Sequence, residues 1–417
     1  MLLLTSLLLT AAPALPKLND PAWESLPIPI EWSSSMGARL VAGLDGETYV
    51  HWVEESKEDG ARLRYSVLGE RGWGEPRTVA AGSDWLVNWA DAPVLAVAED
   101  GSMAATWLVH TGAEGTWDYG IRLAVSRDGD SWSDPVRLHD DPAGPEHGFV
   151  SLVPMPAEAG GGFEAVWLDS RAMKGGEGEH GTGAMQLLSR RIQIAGPLVE
   201  LGPELVLDDR TCDCCQTSAV SDGAGGVLVA YRDRSPKEVR DISLVRIADG
   251  KLDGHMDPPA DRWTVSGCPV NGPSLARRGA ALAAAWFTMD LGLTGKAKPQ
   301  PMVRACFGTT SQGFGSARRV DLGKPIGRAT ATFGPDGHLF VAWLEQGGDR
   351  GARWLLQDLG TPANPATDLG SPEVLGEVEA SRRSGFASLL WNGERLLFAF
   401  TRTAEDGTTR VDSLVRR

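Results

Sequence analysis

The chain has 417 residues, of which 42% are hydrophobic and 23% charged, and its formal net charge is -15. This balance excludes a disordered, collagenous or coiled-coil protein as the main architecture. The acidic surface disfavours nonspecific binding to nucleic acid or anionic lipid and leaves cationic or neutral partners open.

In chain order, residues 1–14 read MLLLTSLLLTAAPA. The apolar run is too short to span a bilayer and ends in the small-residue pattern Ala12-Pro13-Ala14, which predicts a secretory signal peptide. Residues 20–417 are then the folded part, in the periplasm or outside the cell, where disulfides persist. No later stretch is apolar and long enough for a transmembrane helix, so no membrane insertion is expected.

An aromatic residue closes a short apolar run at Trp52, Trp107, Trp167, Tyr231, Trp286, Trp343 and Phe400, at successive spacings of 55, 60, 64, 55, 57 and 57 residues. Such a period marks a repeat architecture. Glycine-bearing turns precede these runs, among them Asp45-Gly46, Asp100-Gly101, Gly225-Gly226, Asp336-Gly337 and Asn392-Gly393. They are the residues of tight hairpins, so each aromatic run is the second strand of a hairpin. Another apolar strand lies before each turn, and a third follows the aromatic after a polar loop. Short antiparallel strands at this spacing, with scarcely a helical pattern, predict an all-β fold: a single β-propeller of four-stranded blades. Seven blades are favoured and six are the alternative. Trp23 to Trp32 would supply the strand that closes the last blade. A monomer is expected.

Strands of a blade alternate in direction, so loops that enter first strands share a face with loops that join second to third strands. That face gathers Asp91, Glu146 and His147, the run Cys212 to Gln216, Cys268, Asn271, Arg328 and Arg383 on entry. Asp169, Arg171, Asp233 and Arg234 leave second strands there, and Arg240 opens a third. His147 and Glu146 are candidates for general acid-base work, as are Asp91, Asp169 and Asp233. Arg171, Arg234, Arg240, Arg328 and Arg383, with Asn271, are candidates to bind a planar anion, since guanidinium pairs with carboxylate or sulfate in bidentate fashion. The alternative is that these groups pair with one another and tie blades together.

Three of the 5 cysteines fall in Thr211-Cys212-Asp213-Cys214-Cys215-Gln216-Thr217. Cys268 enters the next blade at the same rim. One disulfide through Cys268 would leave two thiols unpaired. Cys212, Cys214, Cys215 and Cys268 could instead hold copper or zinc, or one of them could be a reactive thiol near arginine. All three readings stand. Cys306, on a third strand, should be distant and buried.

Ser126-Arg127-Asp128-Gly129-Asp130-Ser131-Trp132 resembles, one residue short, the Asp-box turn of sialidase-like (BNR-repeat) propellers. The segments EHGFVSL, VWLDSR, RTCDCCQT, YRDRSPKEVRDI, GCPVNGP, AWFT and SRRSGF resemble a secreted bacterial group of that family. The resemblance implies a glycan as ligand and hydrolysis of a sialoside or a related anionic sugar. It also implies an arginine clamp from Arg171, Arg234, Arg328 and Arg383, with Asp91 as acid. A sialidase needs a tyrosine nucleophile paired with glutamate. Tyr231 stands where other repeats carry tryptophan, so it should pack between blades. A metal-binding or thiol-dependent propeller and a noncatalytic binding propeller are the competing functions.

Overall fold

The computed structural model describes residues 22–43, 46–112, 118–141, 146–173, 183–196, 198–290, 298–404 and 406–416. The expected signal peptide at 1–14 and Asp45 lie outside them. Seven antiparallel sheets form seven blades. Their innermost strands are Ser34–Ala42, Val94–Val97, His147–Pro154, Ser218–Ser221, Ser274–Arg278, Pro325–Phe333 and Ser388–Trp391. Each innermost strand touches the next, and the last touches the first, so the ring is closed.

Closure follows the expected route. Trp23–Ser25 adds to Thr409–Arg416 as the outer strand of the seventh blade, with Trp23 opposite Arg416. Trp23 is buried, donates Nε1–H to Glu373 at 2.9 Å and lies beneath the Arg416 guanidinium. Chain start and chain end thus hold one sheet together.

The periodic aromatics fill the seams between blades. Trp167 packs with Ile121 and Leu123 of the preceding blade, and Trp52 packs with Leu397 and Val411 of the seventh. Burying rings of this size supplies most of the adhesion between otherwise small sheets. A carboxylate two residues on accepts the indole N–H in three blades: Glu54 from Trp52, Asp169 from Trp167 and Glu345 from Trp343. Tyr231 does pack in a seam, its hydroxyl donating to Asp208 at 2.6 Å. The hairpin turns are tight as the glycines require: Gly101 has φ +81°, and Ala98 N–H bonds to Ser102 O across it.

A second period links the inner strands. Leu275, Ala331 and Leu40 donate backbone N–H to the hydroxyls of Ser218, Ser274 and Ser388 in the neighbouring blade, at 2.9, 3.0 and 3.0 Å. These bonds line the channel with satisfied polar groups, so its wall can be hydrophilic without stranded amides.

Candidate active site and cysteine centre

The innermost strands of all seven blades enclose a central cavity of about 460 Å³. Its titratable wall is Asp91 with Arg39 and His51, the last kept neutral because burial and Arg39 push it down to about 3. Asp91 lies in the loop entering the second blade, is 3% exposed, and its Oδ2 has no hydrogen-bond partner in the protein. Burial pushes its carboxyl up to about 7. Glu146 adds to the rise, while the Phe149 backbone N–H and Arg39 oppose it. The carboxyl is therefore poised to exchange a proton near neutrality.

Behind Asp91 stands a pair that sequence reasoning does not find. Tyr119, the first residue of Tyr119–Ser126, donates its hydroxyl to Glu146 Oε1 at 2.6 Å. Burial pushes Glu146 up to about 7, with Asp213 raising it further and Tyr119 and His147 opposing. Burial, then Glu146 and Asp91, hold the Tyr119 phenol far above its ordinary range. Gly148 explains how these groups pack so closely. A Cβ there would lie 1.9 Å from Asp91 Oδ2 and 3.1 Å from Tyr119 Cε2, so only glycine leaves them room. Three titratable groups share one small volume, and their demands on protons are opposed.

The other acid-base candidates are placed differently. His147 is fully buried, not at an open mouth. Its ring stacks on His139 with centroids 3.8 Å apart, and its Nε2 lies 3.4 Å from Asp169 and 3.7 Å from Asp141. Asp169 is also fully buried, and although burial works against it, His147, Arg171 and Trp167 hold its carboxyl far below the usual range. It is a permanent anion that fixes Trp167, and it cannot pair with Asp91 as a proton donor. Asp233 is half-buried, is pushed up to about 6 by burial, and accepts the Arg234 N–H at 2.6 Å.

The arginines do not converge into a clamp, because each guanidinium already has partners. Arg171 is bidentate on Asp169 and reaches Glu204 at 2.6 Å. Arg234 joins Asp213 and Glu238, and Arg240 joins Glu238. Arg328 is buried, donates to the carbonyls of Gly385 and Ser381, and lies over Trp89. Asn271 latches two blades, its Oδ1 accepting Arg328 N–H while Nδ2 donates to Pro269 and Ile326. Arg383 is exposed, bonds to Gly407 O and borders a separate surface hollow. Arg39 is the cation of the cavity itself. Its Nε is unpartnered and burial lowers its pKa, with Asp91 acting against that fall.

The cysteines meet at the rim beside this cavity. Cys214 and Cys268 form a disulfide between the loops that enter the fourth and fifth blades. Cys212 and Cys215 are buried thiols with Sγ atoms 3.4 Å apart, and Cys212 Sγ lies 3.7 Å from Cys268 Sγ. Arg240 Nη1 donates to Cys212 Sγ at 3.1 Å. A hydrogen bond from Cys215, with Arg240 and Arg232 nearby, holds the Cys212 thiol below its ordinary range against burial. Burial, and then the Cys212 charge, pushes Cys215 well above it. The sulfurs of Cys212, Cys215 and Cys268 all lie within 4.8 Å of one another. A four-sulfur zinc set would need the disulfide reduced, since only two thiols remain beside it. Cys306 is buried on its third strand and pushed up to about 12 by burial, as an inert core thiol is.

No family model and no curated protein matches the sequence. Solved structures do. The polysaccharide lyase Uly1 matches with a TM-score of 0.52 at 10% identity over 91% of this chain and 89% of that one. A PL25 ulvan lyase bound to -[GlcA(1-4)Rha3S]- matches with a TM-score of 0.50 at 12% identity over 91% and 94%. The intramolecular trans-sialidase from Ruminococcus gnavus has a TM-score of 0.44 at 9% identity over 92% and 94%, too distant to bear on the site. At such identities the likeness establishes the fold alone. The chain is an all-β propeller of seven blades, and the propeller expected from the sialidase resemblance is present without sequence-family support for that family.

Proposed function

We propose that the central cavity binds and cleaves a glycan bearing a carboxylate or sulfate. The observation that carries this reading is Asp91, a buried carboxyl on the cavity wall with an unpartnered oxygen, poised to hold a proton near pH 7. Asp91 gives that proton to the glycosidic oxygen as the bond breaks. Behind Asp91, Glu146 accepts the Tyr119 hydroxyl at 2.6 Å, and its charge helps to keep the proton on Asp91 until the bond breaks. Both hydrolysis and elimination use such a proton donor. Arg39 supplies the positive charge for the anionic substituent. A cavity of about 460 Å³ lies in the range of small-ligand sites. Polysaccharide lyases share the fold, one of them bound to -[GlcA(1-4)Rha3S]-, which favours a glycan as the ligand. The Cys214–Cys268 disulfide supports an oxidising compartment, periplasmic or extracellular, for this activity.

The test is incubation with sialosides, uronate-rich glycans and sulfated glycans, following new reducing ends for hydrolysis and unsaturated products for elimination. Turnover abolished in Asp91→Asn supports the assignment. Absence of both turnover and calorimetric binding across the panel overturns it, and binding without turnover makes the propeller a noncatalytic glycan receptor.

A further inference from the structure

The cavity chemistry makes no use of the four sulfurs at the rim, and a plain staple would need only two of them. Cys212 and Cys215 are spaced as Cys-x-x-Cys, the arrangement of dithiols that open and close. Their sulfurs are 3.4 Å apart, and Cys212 is also 3.7 Å from Cys268, half of the existing disulfide. Cys212 is thus within reach of two different sulfur partners. The two thiols are buried, whereas Cys214 and Cys268 are partly exposed. One pair is inside, the other outside.

We propose that these four cysteines form a thiol–disulfide relay, with an outer pair, Cys214–Cys268, that meets external thiols and an inner pair, Cys212 and Cys215, that exchanges with it. The Cys212 thiolate attacks Cys268 Sγ, forming the Cys212–Cys268 bond and expelling Cys214 as thiolate. Cys215, giving up its proton to that thiolate, then attacks Cys212 Sγ and expels Cys268. The products are a Cys212–Cys215 disulfide and an outer dithiol. One disulfide is present throughout, so no external oxidant or reductant is consumed. Arg240, donating to Cys212 Sγ at 3.1 Å, favours the attacking thiolate. Asp213, between them in sequence, is held by Arg234 at 3.0 Å, which fixes the loop. The arrangement fits a substrate of the dithiol or disulfide class on another protein.

The experiment equilibrates the full chain in glutathione buffers from reducing to oxidising, quenches with acid, alkylates, and maps disulfides by peptide mass spectrometry with metal analysis in parallel. At potentials where one disulfide is present, both Cys214–Cys268 and Cys212–Cys215 are expected. Cys214→Ser is expected to give Cys212–Cys268, and Cys212→Ala to leave Cys214–Cys268 as the one disulfide at every potential, with Cys215 always a free thiol. Finding only Cys214–Cys268 at every potential in the unaltered chain, and no Cys212–Cys268 bond in Cys214→Ser, overturns the relay. Stoichiometric copper or zinc held by the four-thiol form after export overturns it in favour of a metal site. Circular dichroism of each variant separates these outcomes from misfolding. None depends on glycan turnover.

Discussion

The Tyr119 hydroxyl and the Glu146 carboxylate are 2.6 Å apart, and they come from different blades: Tyr119 opens a third strand of the second, Glu146 the entry loop of the third. A bond of this kind across a blade seam fixes the phenol in one orientation beside Asp91. Tyr119→Phe should therefore lower kcat on a cleaved glycan by about ten-fold with little change in KM, because the hydroxyl orders Glu146 behind the Asp91 acid and touches no substrate. Steady-state kinetics checks the split. A rise in KM with kcat preserved would assign Tyr119 to packing.

Asp91 gives a pH signature independent of any substrate. Its folded-state value of about 7 lies above the ordinary 3.8, so the native state binds more protons than the unfolded chain between those values. Its stabilising effect is fully present below about pH 4 and is lost as the pH rises through 7. Glu146, raised to about 7, and Asp233, raised to about 6, act in the same sense. Thermal melts between pH 4 and 8 should show this decline. Asp91→Asn should flatten it and raise stability at pH 8 by on the order of 1 kcal/mol. An unaltered slope in the variant would contradict the assignment.

Asp169 should behave as a structural anion. It accepts the Trp167 indole and both donors of Arg171, and it is fully buried. Asp169→Ala should cost roughly 3–5 kcal/mol in urea unfolding, since Arg171 and Trp167 lose a buried partner. Its effect on turnover per folded molecule should be small. A Glu54→Ala change should act alike, since Glu54 accepts Trp52 and Arg62.

The fold was legible because every blade needs the same things. Each seam takes one large ring, so Trp52, Trp107, Trp167, Trp286 and Trp343 recur at blade length, and each hairpin turn needs a residue tolerant of positive φ. The site was legible only in part. Asp91 and Glu146 stand out because entry loops converge on the channel. Tyr119 and Arg39 obey the same geometric logic, one at the start of a third strand and one facing inward on a first strand, yet no short motif marks them. The arginine clamp fails for a reason sequence cannot supply. Whether a guanidinium is free depends on partners such as Glu204, 33 positions from Arg171, or the Ser381 carbonyl, 53 from Arg328. The Cys214–Cys268 pairing was one of several open readings, since blade adjacency brings all four sulfurs together and does not choose among them.

The charge selectivity proposed for the cavity would rest on Arg39. Its guanidinium lines the same wall as Asp91, and among the described residues no carboxylate lies within ion-pairing distance of it. The fully partnered Arg171, Arg234 and Arg328 cannot turn to a ligand without stranding Asp169, Asp213 or the carbonyls they hold, a cost of roughly 1–3 kcal/mol for each group left unpaired. Under the proposed function, a single arginine would then provide the discrimination between a uronate or sulfate ester and a neutral sugar. Arg39→Met keeps the stem and removes the charge, so binding of an anionic oligosaccharide should weaken about ten-fold or more, as the loss of one charge-assisted bond implies. Affinity for a neutral analogue of the same length should stay within about two-fold, and calorimetry on the pair reads the difference. If both ligands lose affinity equally, Arg39 shapes the cavity without selecting its occupant. If neither does, the anion is held elsewhere, and the exposed Arg382, whose guanidinium lies over Trp89 at the same rim, is the next residue to replace.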